Sequence, residues 1–318
     1  MKIVVLGLGF MGATHLKALR NIPQAELVAV ASDDERARCP GVRMYYDWSE
    51  AVLDPEAEAV DICLPTHLHA PATVAALLAG KHVLVEKPMA LTSAGAARMI
   101  EAARDSGRIL MAAQVLRFFP AYRALADVLQ SGRLGRVRAA MFRRRSPTPA
   151  WSAWLTDKGS SGGGIFDLML HDIDMSLHLF GQPQAVSATG YEDLPAGLDC
   201  ITAQLHYPGM TVALAGGWYP ISSYPFSMEY SVVGESGAVE YSSAAPVPVL
   251  YAGDSRTELA LSEVDGYQAE LEYFVECCLE EKQPELCPPE ESARAVRLAL
   301  LMLESREKGG EILPWKSE

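Results

Sequence analysis

Up to about residue 117 the chain alternates short apolar runs with segments of helical period. Lys2–Leu6, Glu26–Ala31, Ala59–Leu64, His82–Val85 and Ile109–Ala113 read as buried strands, with helices over Gly12–Arg20, Pro71–Ala79 and Ser93–Ser106. Parallel strands joined by helices need crossover connections, so the pattern predicts an α/β doubly wound sheet covered on both faces. From about residue 118 the grammar changes. A helix over Pro120–Gln130 leads to a strand over Arg136–Arg143, and one apolar helix follows the Pro/Gly-rich stretch Ser146–Gly164. Then come strand-like runs with no helices between them: Ala185–Gly190, Cys200–Tyr207, Thr211–Trp218, Ser227–Val233 and Gly237–Tyr241. Strands in succession predict an α+β unit with a mixed or antiparallel sheet. Helices near Tyr267–Glu281 and Glu290–Glu307 close the chain.

Composition narrows the partners. At 318 residues and 49% hydrophobic, the chain can fill two ordinary cores. Its charge is 27 − 40 = −13, which repels nucleic-acid phosphate and anionic lipid and argues against both. Arg143 to Arg145, beside Arg136 and Arg138, form the one basic cluster and read as a solvated strand end, with an anion contact as the alternative. The six cysteines show no CxxC spacing and read as reduced thiols of a cytoplasmic protein. Lys2 followed by Ile3–Ala13 resembles a signal peptide. The glycines within that run have another use.

Gly7-Leu8-Gly9-Phe10-Met11-Gly12 is a GxGxxG between an apolar strand and a helix. The first glycine permits the tight turn, the second lets backbone approach a pyrophosphate, and the third lets helix and strand pack closely. The helix N-terminus then offers free N–H groups to the phosphates. Residues 1–117 are therefore expected to form a dinucleotide-binding domain and 118–318 a substrate-binding and oligomerisation domain. The ribose residue belongs at the end of the second strand, where Ser32 and Asp33 stand near Arg36 and Arg38. The cofactor reads as NAD or NADP, with NAD slightly favoured by Asp33.

Two further segments carry chemistry. Glu86-Lys87-Pro88 ends a buried strand, where open α/β sheets bind their ligands, and Pro88 restricts the direction of Lys87. After Gly162–Gly164, an apolar helix carries Asp167, His171, Asp174 and His178 within about 60° of one another. Ionisable groups on a buried helix need partners or a use. Three uses compete: a His held by an Asp as general base, a zinc site without supporting cysteines, and a satisfied structural network.

In this order and spacing, the segments resemble the glucose-fructose oxidoreductase/inositol dehydrogenase (Gfo/Idh/MocA) family. The matching runs are Gly7–Gly12, Leu64-Pro65-Thr66-His67-Leu68-His69, Gly80–Pro88, Arg117-Phe118-Phe119-Pro120 and Gly162–Asp174. The resemblance implies a Rossmann domain joined to a domain with a large open sheet, assembled as a homodimer or homotetramer. It also implies a nicotinamide-dependent oxidoreductase acting on a hydroxyl or carbonyl of a sugar, polyol or related small molecule. Carried over by position, Lys87 is the catalytic lysine and Asp167 and His171 the Asp-x-x-x-His pair. Leu64, Pro65, Thr66, Glu86 and Gln114 lie along the cofactor, and Arg117 stands with Lys87, Asp167 and His171 toward the substrate. His69 matches a frequent family histidine or a packing residue at a helix start. No metal is implied. Many members carry Trp-Arg before the triple glycine, where this chain has Trp154-Leu155. Two other functions fit the same residues: an NAD-dependent glycosidase, and a non-catalytic sensor that would not need both Lys87 and His171.

Overall fold

A computed structural model describes residues 1–150 and 152–316. The chain divides into two compact units, residues 1–118 with 264–296, and residues 119–263 with 297–318.

The first unit is built on a six-stranded sheet of β1 (Lys2–Leu6), β2 (Glu26–Ala31), β3 (Arg43–Tyr45), β4 (Ala59–Ile62), β5 (His82–Glu86) and β6 (Leu110–Ala113). The order is β3-β2-β1-β4-β5-β6 and every pairing is parallel. This is the doubly wound order, in which the direction of winding reverses beside β1 and β4 and ligands bind at the carboxyl ends. Its helices include α1 (Phe10–Leu19), α2 (Trp48–Ala51), α3 (His69–Leu78) and α4 (Ser93–Ser106). Local signals set their ends. Thr92 caps α4 by accepting the Gly95 N–H at 3.0 Å, and Gly107 ends it at φ 66°, a conformation that favours glycine.

The stretch 264–296, read from the sequence as part of the second domain, packs instead with the first unit. Helix α8 (Gly266–Leu279) places Leu271, Phe274, Val275 and Cys278 in one core with Ile3, Val5, Ala18 and Val30. Its apolar face decides the matter, because burial follows area removed from water and not chain order.

The second unit holds α5 (Pro120–Gln130), α7 (Leu170–Phe180) and a nine-stranded sheet, with a short α6 (Lys158–Ser161) before α7. In chain order its strands are β7 (Val137–Pro147), β8 (Ala185–Asp193), β9 (Leu198–Tyr207), β10 (Met210–Tyr219), β11 (Ser227–Gly234), β12 (Gly237–Ser242), β13 (Val249–Ala252), β14 (Ser255–Glu258) and β15 (Leu313–Pro314). The spatial order is β14-β13-β12-β11-β7-β10-β9-β8-β15, antiparallel except for β7 beside β10. One face buries Phe142, Tyr230 and Leu214; Tyr122 of α5 stacks edge-on against Tyr230 and Phe180 of α7 tilts against Phe142. The other face exposes Met141, Thr202, Gln204, Thr211 and Val233. Helix α9 (Pro289–Glu307) contributes residues to both units.

The basic cluster is not a solvated strand end. Arg144 points into the core and forms a two-pronged pair with Asp172, Nε to Oδ2 at 2.9 Å and Nη2 to Oδ1 at 3.0 Å. Arg143 and Arg145 point to the other face and share the Glu229 carboxylate. The alternation of a strand separates neighbours that the sequence presents as one patch.

Candidate functional site

In the first unit the glycine loop sits at the carboxyl end of β1. Gly7 has φ +93°, and a Cβ there would stand 2.4 Å from the Cys63 carbonyl oxygen. A Cβ on Gly12 would meet the Gly7 carbonyl oxygen at 1.9 Å, so helix and loop approach this closely only because residue 12 has no side chain. A Cβ on Gly9 would meet nothing within 4 Å, and Gly9 is the residue from which α1 departs. The turn is thus closed at its first and third glycines and open at its second. That is the arrangement a pyrophosphate requires at a helix N-terminus. Phe10, 68% exposed, and Met11 begin the helix at this open side.

Two neighbouring segments converge on the loop. Leu64 follows Cys63, whose backbone lies against Gly7, and Pro65 leads into the single turn Thr66–Leu68. At the end of β5, the Glu86 Oε2 accepts the Lys87 N–H at 2.9 Å, and the Lys87–Pro88 peptide is cis. His69 ties these segments together, with Nδ1 2.8 Å from the Pro88 oxygen and Nε2 2.7 Å from the Leu64 oxygen. Burial pushes its pKa below the ordinary histidine value, against the pull of the two carbonyls. His69 therefore braces the loops from within the fold.

At the end of β2, Ser32 donates its N–H to Tyr45, and its hydroxyl accepts the Asp34 N–H. Asp34 pairs with Arg36, which holds its carboxyl below the usual range, while Asp33 is exposed. Gln114 lies beyond β6, buried, and donates to Ser292 at 3.3 Å.

Arg117 is tied into the first unit. Its guanidinium is fully buried and donates to Glu291 Oε2 at 2.6 Å and to the Leu286 oxygen at 2.8 Å. It braces the stretch 264–296 that the first unit takes back.

Sequence reasoning also missed a buried cluster beneath the loop. His15 of α1 is 0% exposed, with Nδ1 2.9 Å from Asp61 of β4 and Nε2 3.2 Å from Glu86. Cys63 Sγ lies 3.4 Å from the same Nδ1. The available signal was Asp61, a lone carboxylate inside the apolar run Ala59–Leu64.

In the second unit, the triple glycine is also a matter of space. Gly162 and Gly163 have φ +78° and +81°, and a Cβ on Gly163 would press on Asp199 at 2.7 Å. Asp199, buried, accepts the Gly164 N–H at 2.8 Å and pairs with Arg306. The loop enters a π-helical turn, Ile165–Met169, in which the Leu170 N–H reaches back to the Ile165 oxygen. Asp167 lies in this turn and His171 in the first turn of α7, both half-buried. The wider π turn changes the angle between the two from that of a regular helix, and such turns recur at functional sites. Asp174 on the same helix is buried. Asp172, outside the polar stripe, is held by Arg144.

Fold and site together define a dinucleotide-binding Rossmann unit joined to a unit with a large mixed sheet. Residues 1–114 match the oxidoreductase family with an NAD-binding Rossmann fold, and residues 122–240 match the GFO/IDH/MocA C-terminal domain. The chain belongs to this family. It is 33% identical over 248 residues to trans-1,2-dihydrobenzene-1,2-diol dehydrogenase of Bos taurus, covering 74% of this chain and 72% of that protein. It is 30% identical over 188 residues to myo-inositol 2-dehydrogenase of Thermotoga maritima, covering 57% and 55%. The chain spans 64% and 55% of the length of two of the curated relatives it matches. In structure it resembles levoglucosan dehydrogenase in complex with NADH, with a TM-score of 0.89 over the full length of both chains at 20% identity.

Proposed function

We propose that this chain is an NAD(P)-dependent oxidoreductase acting on a CH–OH group, or its carbonyl, of a sugar, polyol or related small molecule. The observation that carries the reading is the glycine cradle, closed at Gly7 and Gly12 and open over Gly9, at the carboxyl end of β1. Gly7, Gly9, Phe10, Met11 and Gly12 would hold the pyrophosphate, Ser32 and Asp33 the ribose, and Leu64, Pro65, Thr66, Glu86 and Gln114 the remaining length of the cofactor. With Arg36 already paired to Asp34, the exposed Asp33 favours NAD over its 2′-phosphorylated form.

The cofactor supplies hydride transfer, which side chains cannot perform. The chain's own residues supply the proton chemistry. His171 would take the hydroxyl proton, since a neutral alcohol is a poor hydride donor, and Asp167 would orient the imidazole. Lys87 would hydrogen-bond the same oxygen. The names of the relatives support the substrate class: an inositol dehydrogenase and a dihydrodiol dehydrogenase among curated proteins, and a levoglucosan dehydrogenase among solved structures. The free cysteines support a cytoplasmic enzyme, the acidic charge supports small molecules over nucleic acid or membrane as partners, and the exposed sheet face supports assembly with its own copies.

The test is a panel of polyols and aldoses with NAD and NADP, read by NADH or NADPH absorbance. We expect turnover with at least one polyol or aldose and a preference for NAD. Hydrolysis of an aryl glycoside without net cofactor reduction would replace this reading by a glycosidase.

A further inference from the structure

Two carboxylates, Asp61 and Glu86, are buried in the first unit, 1% and 5% exposed. Ions in such a place cost several kcal/mol each unless a counter-charge is close. Between them lies one imidazole. His15 Nδ1 is 2.9 and 3.0 Å from the two Asp61 oxygens, and Nε2 is 3.2 Å from Glu86 Oε1. Nδ1 hydrogen-bonds Asp61, and Nε2 stands at ion-pair distance from Glu86 without hydrogen-bond geometry, so two buried anions flank the ring and favour its protonated form, the imidazolium. The other titratable groups nearby include the Cys63 thiol, pushed up to about 12 by burial, His69 and Lys87, and Asp265, Tyr267 and Glu270 from the start of α8.

The position of this ion triplet gives it a consequence. His15 is in the second turn of α1, the helix that begins at Gly9. Glu86, its partner, spends its other oxygen on the Lys87 N–H at 2.9 Å. One chain of contacts therefore runs from the phosphate-facing helix through a cation to the lysine turn. We propose that His15 is a positioning residue, held as a cation by Asp61 and Glu86, that fixes the Lys87 turn to the helix of the glycine loop. Seating of the cofactor phosphates and placement of Lys87 are then set by one buried link. The proposal rests on the reading of Lys87 as the substrate lysine.

His15→Gln alone leaves two buried carboxylates without a cation and can prevent folding. The charge-balanced variant His15→Gln/Asp61→Asn removes one charge of each sign and keeps the shape. In that folded protein we expect NADH affinity and kcat each to fall on the order of tenfold to a hundredfold, because small misplacements of an oriented group are costly. The KM for the active polyol should change little. A folded double variant with wild-type NADH affinity and kcat would mean that the triplet serves stability only, and would overturn the proposal. Nitrogen-15 NMR of the histidine rings in the wild-type protein gives a second reading that needs no variant to fold. His15 should show two protonated nitrogens at pH 8 and shift when NADH is added; a neutral ring, or no shift, contradicts the link. Stoichiometric zinc lost on mutation would also contradict it, making His15, Asp61 and Cys63 a metal site. Lys87→Ala, assayed in parallel, separates the two claims. If it keeps full activity, the functional reading fails whatever His15 does.

Discussion

Among single residues, buried charge decides more than exposed charge does. The Arg144–Asp172 pair is 3% and 0% exposed, and burial still raises the Asp172 carboxyl above its ordinary value with the guanidinium against it. Arg144→Met would strand that carboxylate, and chemical denaturation should report a loss of about 3–5 kcal/mol. Arg144→Met with Asp172→Leu removes both charges and should recover most of it. His15 supplies a pH dependence of the opposite kind. Burial pulls its pKa down, but Asp61 and Cys63 more than offset this, and the folded value lies well above 6.5. A raised pKa gives stability that is fully present below the unfolded value and lost as pH rises through the folded one. Above pH 6.5 the unfolded state has released the proton and the folded state has not. Unfolding free energy should therefore drop by about 1.4 kcal/mol per pH unit there. His15→Gln/Asp61→Asn should flatten that slope. None of these pairings was legible in the sequence. Arg143, Arg144 and Arg145 look alike in a row, and only the pleat shows that the middle one is inside.

The elements that define the first unit were readable because each buried strand is an apolar run and each covering helix has its own period. β3 and α2 were missed: Arg43–Tyr45 is a three-residue strand with a charged end, and Trp48–Ala51 is one turn started by Asp47. β13 and the edge strand β14 escaped for a related reason, since Ser255–Glu258 is exposed along its whole length and has no alternation to detect. The π turn was invisible too. Its sequence has the apolar spacing of an ordinary helix, and the extra residue shows only in the hydrogen bond from Leu170 to Ile165. The glycines of the two loops, in contrast, were legible as a class but not in their individual tolerance. Gly9→Ala meets open space and should leave folding intact, whereas Gly9→Trp should fill the cradle and abolish NADH binding by titration calorimetry. Gly163→Ala adds a Cβ at φ +81° against Asp199, and should lower stability by about 1–3 kcal/mol. Equal thermal stability of Gly163→Ala and wild type would contradict the strain assigned to that loop.

For the whole molecule, the sequence conveyed two grammars but not the return of the chain. Residues 264–296 rejoin the first unit because α8 has its apolar partners there, a fact of tertiary packing that no local pattern carries. The nine-stranded sheet leaves one face uncovered, with Met141 and Val233 exposed among Thr202, Gln204 and Thr211, and a sheet face of that width is a surface that a second copy of the chain can cover. We expect a dimer or tetramer by light scattering at micromolar concentration; Met141→Glu with Val233→Glu should shift it toward monomer. No helix among the described residues is long and apolar enough to cross a membrane. The central claim is that Lys87, Asp167 and His171 serve one reaction, and it is tested most directly by kcat for Lys87→Ala, His171→Ala and the double variant with the active polyol. Each single change should lower kcat on the order of 10²–10⁴-fold, with the acid-side fall of the wild-type profile absent in His171→Ala, because a protonated imidazole cannot accept the hydroxyl proton. The double variant should lose far less than the product of the two, with NADH binding retained in all three. Near-native turnover by His171→Ala, with NADH still bound, would contradict the account.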